Sequence, residues 1–146
     1  MAGSVHALHR CPGHRRPMER LEQVEVDEAG LAGDSHRGAA SIRHVLVQDE
    51  EVCRTLDLSP GEVKENITVS GIDANSLPYG THLTLGEVVL ELTKECGPCS
   101  RMDEIRPGLR EQLLGRRGVY AKVVTPGTLR VGDPVSVQTP AEVIPT

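Results

Sequence analysis

The chain has almost no aromatic side chains: its 146 residues include no Trp and no Phe, and its two aromatic residues are Tyr79 and Tyr120. Proteins that bind RNA or single-stranded DNA stack the bases on Phe, Tyr or Trp. The formal charge of −5 also fails to supply the cationic surface that neutralises phosphates. The composition therefore argues against a nucleic-acid partner, and it predicts an aliphatic core.

Long apolar runs are also missing. No segment approaches the ~20 apolar residues of a membrane span, and the N-terminus carries no apolar run typical of a secretory signal. The four cysteines, Cys11, Cys53, Cys96 and Cys99, are too irregularly spaced to indicate a disulfide framework. We therefore expect a cytoplasmic protein with reduced thiols and no membrane association.

Short strand patterns separated by Gly and Pro dominate the chain. They predict strands over residues 4–9, 21–26, 42–47, 66–70, 81–85, 87–93, 119–124, 128–131 and 134–137. Helical patterns are short: one follows Asp49 as N-cap, and a second covers residues 109–114. The pattern predicts a mainly β fold, an antiparallel barrel with a few short helices. We expect one domain over residues 1–138 and a frayed tail over 139–146.

The segment Cys96-Gly-Pro-Cys99 is the most informative chemically, because a predicted strand leads into two thiols just before a short helix. A helix start favours thiolate over thiol. Three chemistries compete: dithiol exchange, zinc binding and soft ligation of a metal such as molybdenum. Thioredoxin-like folds place this motif early in a βαβ unit, and structural zinc needs four ligands. The structural alternative is a pair of buried turn residues.

Polar residues elsewhere are candidates for an anion pocket. Asp34 and His36 lie on a glycine-rich loop whose NH groups can converge on an anion; alternatively, Asp34 caps that turn. Asn66 precedes a strand, and its amide either contacts a ligand or bonds to the backbone. Arg101 and Arg117 can bind phosphate bidentately, or they belong to a solvated surface.

An ordered set of segments resembles the MOSC domain, which is named from the C-terminal part of molybdenum cofactor sulfurases. No single segment is specific, but together they run from about residue 5 to residue 138. They are Gly30-Leu-Ala-Gly-Asp-Ser-His-Arg-Gly38, Pro60 to Asp73, Gly80-Thr-His-Leu-Thr-Leu-Gly86, Pro98-Cys99, Arg117-Gly118-Val119 and Gly127 to Asp133.

The resemblance implies a β-barrel-like fold that binds the molybdenum cofactor (molybdopterin) or a related sulfur-carrying species. Cys99 matches the cysteine that ligates molybdenum in amidoxime-reducing relatives, so it is the expected metal ligand and catalytic residue. The pocket is expected to include Asp34, His36, Asn66, Arg101 and Arg117. A thiolate suits both a molybdenum ligand and a persulfide carrier. Pyridoxal phosphate belongs to a separate domain of the larger sulfurases and is not expected in this chain.

Two functions of different classes remain. One is a molybdenum-cofactor or sulfur-transfer protein, with reductase activity toward N-hydroxylated compounds as one form. The other is a non-catalytic module that holds a metal–sulfur species for a partner enzyme. The expected partners are the cofactor or a sulfur donor, and an electron-transfer protein or molybdoenzyme.

Overall fold

The computed structural model describes residues 2–13, 16–35 and 43–142, and short strands dominate these ranges. The strands are β1 (Ala2–Arg10), β2 (Glu19–Leu21), β3 (Gln23–Asp27), β4 (Gly30–Leu31), β5 (Val45–Asp49), β6 (Ile67–Ser70), β7 (His82–Leu85), β8 (Val88–Glu95), β9 (Val119–Thr125), β10 (Gly127–Arg130) and β11 (Pro134–Gln138). The helices are α1 (Glu50–Thr55), α2 (Arg101–Ile105) and α3 (Leu109–Gln112), and a 3-10 turn covers Ala74–Ser76. Within the described ranges, no helix has the length and hydropathy to cross a bilayer.

Seven of these strands close into a barrel in the order β1, β6, β5, β9, β8, β7, β11, and β11 pairs back onto β1. Neighbouring strands are antiparallel except β5 and β6, which are parallel. β2 pairs with the C-terminal end of β1, while β3 forms a small separate sheet with β4 and β10. The predicted mainly β, barrel-like fold with a few short helices is confirmed.

The barrel interior is aliphatic, as the shortage of aromatic residues predicts. Buried and less buried residues alternate along β7 and along most of β8, so one face of each strand points into the barrel. The fully buried interior leucines include Leu83, Leu85, Leu90 and Leu92. Burial of each such side chain contributes roughly 1.5–3 kcal/mol to folding.

A second apolar cluster lies outside the barrel, where the helices pack together. Cys53 of α1, Met102 of α2, and Leu109 and Leu113 at α3 are at most 2% exposed. All five residues of β5 are buried. A strand that is covered on both faces has consecutive apolar residues instead of alternating ones. This explains the sequence Val45-Leu46-Val47.

Three predicted boundaries differ from those of the structure. The predicted strand 21–26 divides at Glu22, since β2 pairs with the barrel and β3 with the small sheet. The predicted strand 42–47 begins at Val45 and extends to Asp49, while residues 36–42 lie outside the described ranges. The glycine-rich loop predicted from Gly30 starts with the two-residue strand β4, paired with β3.

Asp49 is the N-cap residue of α1, as predicted, but its carboxylate makes no capping bond to that helix. It bonds instead to the 3-10 turn. Oδ1 accepts from the Ala74 N–H at 2.8 Å, and Oδ2 accepts from the Asn75 side-chain amide at 2.8 Å. Burial raises the pKa of Asp49 to about 6 despite these donors. Folding therefore favours the protonated carboxyl.

This shift predicts a pH-dependent stability that Asp49→Asn removes. A pKa raised on folding stabilises the protein below the unfolded pKa, and that stability is lost as pH rises through about 6. From about pH 4 to about pH 7, the free energy of unfolding of the parent should fall by about 2–3 kcal/mol relative to Asp49→Asn. Urea unfolding of both proteins across this range measures the difference. If the difference in unfolding free energy between the two proteins did not change with pH, the raised pKa of Asp49 would be contradicted.

Candidate functional site

The outer face of the barrel carries three neighbouring residues where β6, β5 and β9 meet, namely Asn66, Leu46 and Tyr120. Leu46 is opposite Tyr120, and the Asn66 N–H donates to the Leu46 carbonyl at 2.9 Å. Their side chains face outward because the residues that follow Leu46 and Asn66, Val47 and Ile67, belong to the barrel core. Neighbouring strands are ~4.8 Å apart, so the Asn66 and Tyr120 backbones are separated by roughly 10 Å.

Asn66 and Asp34 form a buried hydrogen-bonded pair at one end of this row. The Asn66 amide Nδ2 donates to Asp34 Oδ1 at 3.1 Å and to the His9 carbonyl at 3.3 Å. Asn66 Oδ1 accepts from the Leu46 N–H at 3.0 Å. Asp34 Oδ1 also accepts from the Cys11 N–H at 2.7 Å. These bonds attach the glycine-rich loop to the ends of three barrel strands.

Both amide hydrogens of Asn66 are thus donated within the protein, which is the structural role anticipated for this residue. Asp34 likewise caps a backbone N–H, as a turn residue does. Their cofactor-binding roles stay predictions. The geometry gives both residues a positioning function, because they fix the loop that leads toward His36. His36 itself lies outside the described residues.

The two thiols of the Cys-x-x-Cys segment occupy different environments. Cys96 is 8% exposed; its N–H donates to the Gly118 carbonyl at 2.9 Å, and its Sγ lies 3.5 Å from Tyr120 Oη. Cys99 is exposed. Three residues span at most ~10.5 Å, so Cys99 lies within that reach of the face that carries Tyr120.

Cys99 lies just outside the helix that the sequence places after it. α2 begins at Arg101 with Ser100 as its N-cap residue, and the Cys99 carbonyl accepts from the Met102 N–H at 3.0 Å. Arg101 is half-buried at the first helical position. Contact of Cys99 or Arg101 with a ligand stays a prediction.

Arg117 is the most unusual polar residue of this face. It is 7% exposed, and within the described residues its Nε and Nη1 have no hydrogen-bond partner. The turn that positions it requires a glycine next in the chain: Gly118 has φ of 124°, and a Cβ there would lie 3.0 Å from the Val47 carbonyl oxygen. A buried guanidinium with two nitrogens that lack a partner among the described residues is costly, so an oxyanion that reached these nitrogens would be bound favourably.

Tyr120 connects this guanidinium to the buried thiol. Burial raises its pKa to about 12, and its hydrogen bond with Cys96 acts in the same direction. The positive charges of Arg117 and Arg43 oppose that shift, and the Arg43 guanidinium carbon lies 5.6 Å from the centre of the Tyr120 ring. Tyr120 is therefore a neutral hydroxyl between a thiol and two cations.

Sequence reasoning named Asp34, Asn66 and Arg117 as candidates but did not name Tyr120 or Arg43. A signal for Tyr120 was present, since it is one of two aromatic residues and follows Arg117 by three positions. No comparable signal marks Arg43, whose contact depends on the path of the chain into β5. The structure joins the predicted residues into two groups, Asp34 with Asn66 and Arg117 near Tyr120.

Comparison with known proteins gives both a family match and a fold match. The model of the MOSC domain family matches residues 35–136. The structure of the YuaD protein from Bacillus subtilis is similar with a TM-score of 0.81 at 20% identity, over 95% of this chain and 97% of that chain. No protein with a curated description matches significantly.

Two further solved structures share the fold. YiiM from Geobacillus stearothermophilus has a TM-score of 0.78 at 14% identity, over 93% of this chain and 75% of that chain. YiiM from Escherichia coli has a TM-score of 0.69 at 15% identity, over 95% and 70%. At these identities the likeness shows a common fold.

The unpaired guanidinium predicts that Arg117→Met does not destabilise the protein in buffer without oxyanions. Replacing a buried charge by an apolar side chain should raise the free energy of unfolding by about 1–3 kcal/mol. Inorganic phosphate should raise the melting temperature of the parent but not of Arg117→Met. Arg116→Met is the matched control, because the Arg116 guanidinium already donates to the Gln112 carbonyl at 2.8 Å. Equal stabilisation of all three proteins by phosphate would contradict the site.

Proposed function

Because the chain belongs to the MOSC domain family, we propose that it binds the molybdenum cofactor or a related sulfur-carrying species, with Cys99 as the functional thiolate. One observation carries the proposal: an exposed thiol is three residues from a buried one that contacts the sheet face beside Arg117. A soft ligand and an unpaired cation are the two groups that a metal–pterin phosphate requires.

The residues of this face fit such a group. Cys99 would hold the metal or the sulfur, and the Arg117 guanidinium would hold the phosphate, since both its Nε and Nη1 hydrogens are without a partner among the described residues. The cofactor, when bound, supplies a metal centre able to exchange oxygen or sulfur atoms and electrons with a substrate. Burial of Arg117 strengthens its attraction for an anion, because little water screens the charge.

The other residues of the site support these two. Asn66 holds Asp34 against the Cys11 N–H, which fixes the loop that enters the face. Tyr120 is hydrogen-bonded with Cys96, and the charge of Arg117 acts on its hydroxyl, so Tyr120 helps to position the Cys96 thiol. The proposal thus assigns binding to Arg117 and Cys99, and positioning to Asp34 and Asn66.

Exposure of Cys99 favours a role that includes exchange with another protein. A persulfide forms and transfers only where a donor thiol can reach the sulfur. The proposed partners are a sulfur donor and a molybdoenzyme or electron-transfer protein, in a reducing compartment such as the cytoplasm. The alternative within this proposal is a reductase of N-hydroxylated compounds, which would use the same thiol as a permanent metal ligand.

Metal and sulfur analysis separates these functions. The protein is purified after cofactor-replete expression, its molybdenum, pterin and cyanide-labile sulfur are measured, and turnover is assayed with an artificial electron donor. Bound molybdenum with turnover supports the reductase, whereas stoichiometric cofactor or labile sulfur without turnover supports the carrier. Absence of molybdenum, pterin and labile sulfur would contradict the proposal.

Cys99→Ser should abolish cofactor or sulfur loading and leave the melting temperature nearly unchanged, because the side chain is exposed. Cys96→Ser should retain most loading, since Cys96 is buried away from incoming donors. Cys11→Ser is the control for a buried thiol outside the segment, with the same 8% exposure as Cys96. Molybdenum and labile-sulfur contents are measured for all four proteins. Equal loading of Cys99→Ser and the parent would refute the role of Cys99.

A further inference from the structure

The proposed function assigns no role to the buried Cys96 thiol, although this residue makes defined polar contacts. Its Sγ is 3.5 Å from the Tyr120 hydroxyl, and its backbone N–H is fixed to Gly118. A thiol that only filled space would not need a hydroxyl partner, because free Cys packs as a small apolar residue. Cys96 is also the nearest thiol to Cys99 along the chain.

The link between the two thiols can change shape. Cys96 is anchored at the end of β8 and Cys99 at the turn before α2, with Gly97 and Pro98 between them. Gly97 is exposed, and nothing lies within 4 Å of the position of a Cβ on it. A disulfide requires Cα atoms roughly 4.4–6.8 Å apart, and the resolving role requires this exposed glycine link to close to that separation.

We propose that Cys96 is the resolving thiol of Cys99, and that it reduces sulfane sulfur carried on Cys99 and releases it as sulfide. The inference rests on the proposed function, because Cys99 must first carry a persulfide. The inference goes beyond the proposed function because it gives the Cys96 thiol a bond-forming role. Tyr120 is the positioning residue for that thiol.

The atoms and electrons of the step balance without an external oxidant. The Cys96 sulfur attacks the Cys99 Sγ, forming the Cys96–Cys99 disulfide and breaking the bond between Cys99 Sγ and the terminal sulfur. The terminal sulfur leaves with the electron pair and takes up the proton from Cys96, so hydrogen sulfide is released. Sulfur is reduced by two electrons and the two thiols are oxidised by two. A dithiol reductant then restores both thiols.

Tyr120 suits the positioning role because it remains a neutral hydroxyl. With its pKa raised to about 12, it keeps its proton near neutral pH. It can accept a hydrogen bond from the Cys96 thiol and donate one to the sulfur as negative charge develops there. The groups that face this hydroxyl are Cys96, Arg117 and Arg43.

The test follows sulfur on the reduced full-length protein. Parent, Cys96→Ser, Cys11→Ser and Cys99→Ser are loaded anaerobically with sodium polysulfide and desalted, and released sulfide is measured over time. Intact mass distinguishes the persulfide, heavier by one sulfur, from the disulfide, lighter by two hydrogens. The parent and Cys11→Ser should release sulfide as the disulfide appears. Cys96→Ser should load but release sulfide about tenfold more slowly or less.

The outcomes separate this inference from the proposed function. Failure of Cys99 to take up sulfur in the parent, Cys96→Ser and Cys11→Ser would overturn the sulfur-carrying form of the proposed function together with the resolving role. Normal loading with release from Cys96→Ser at the parent rate would overturn the resolving role alone. Circular dichroism and melting curves establish that Cys96→Ser is folded, and Cys96→Ala serves as a second variant if it is not.

Tyr120→Phe supplies a second, independent measurement in which both thiols are retained. The disulfide should still form, but the pH profile of sulfide release should move to higher pH, because the developing thiolate loses its hydroxyl donor. A merely structural role for Tyr120 would lower the melting temperature and leave the pH profile in place. An unchanged profile would refute the positioning role.

Discussion

The parallel pair of β5 and β6 links the barrel core to the helical cluster, because both strands contact α1. Val47 and Ile67 are fully buried in the barrel core and lie opposite each other across this pair. On the other face, Glu65 accepts from Thr68 of β6 and from the Cys53 thiol of α1. Few sequences satisfy a strand buried on both faces, because every backbone polar group must be bonded within the sheet. Hydrogen bonds from β5 reach both the candidate site and the 3-10 turn: the Leu46 N–H donates to Asn66, and the Asp49 carboxylate accepts from Ala74.

The site is built from polar groups that the fold buries at a cost. Glu65 is fully buried, with Oε2 accepting from Thr68 at 2.9 Å and Oε1 unpartnered among the described residues. His9 is buried nearby, and desolvation lowers its pKa although the charge of Glu65 opposes that shift. These groups and the buried nitrogens of Arg117 each cost folding free energy. Such a concentration of buried polar atoms is typical of functional surfaces.

The two thiols of the Cys-x-x-Cys segment lie in different environments. Cys96 continues the line of β8 and is held by the sheet, whereas Cys99 has left the sheet and lies exposed before α2. Access to donors depends on exposure, and contact with Tyr120 depends on the sheet register that places Lys94 opposite that residue. The proposed division into carrier and resolving thiol rests on these positions, because both residues are chemically identical.

The sequence by itself determined the fold class, the aliphatic core and the identity of the chemical groups. Alternation along β7 and β8 is a local property, and Cys99 and Arg117 are recognisable by type and by their neighbours. The division of the strand at Glu22 could not be read from it, since that depends on which sheet each half joins. The sequence also could not show the contact between Cys96 and Tyr120, 24 residues apart, or that Arg117 Nε and Nη1 are buried without a partner among the described residues. The strand division, the Cys96–Tyr120 contact and the burial of Arg117 arise only when the barrel closes. Register and burial are properties of the assembled sheet and not of any one segment.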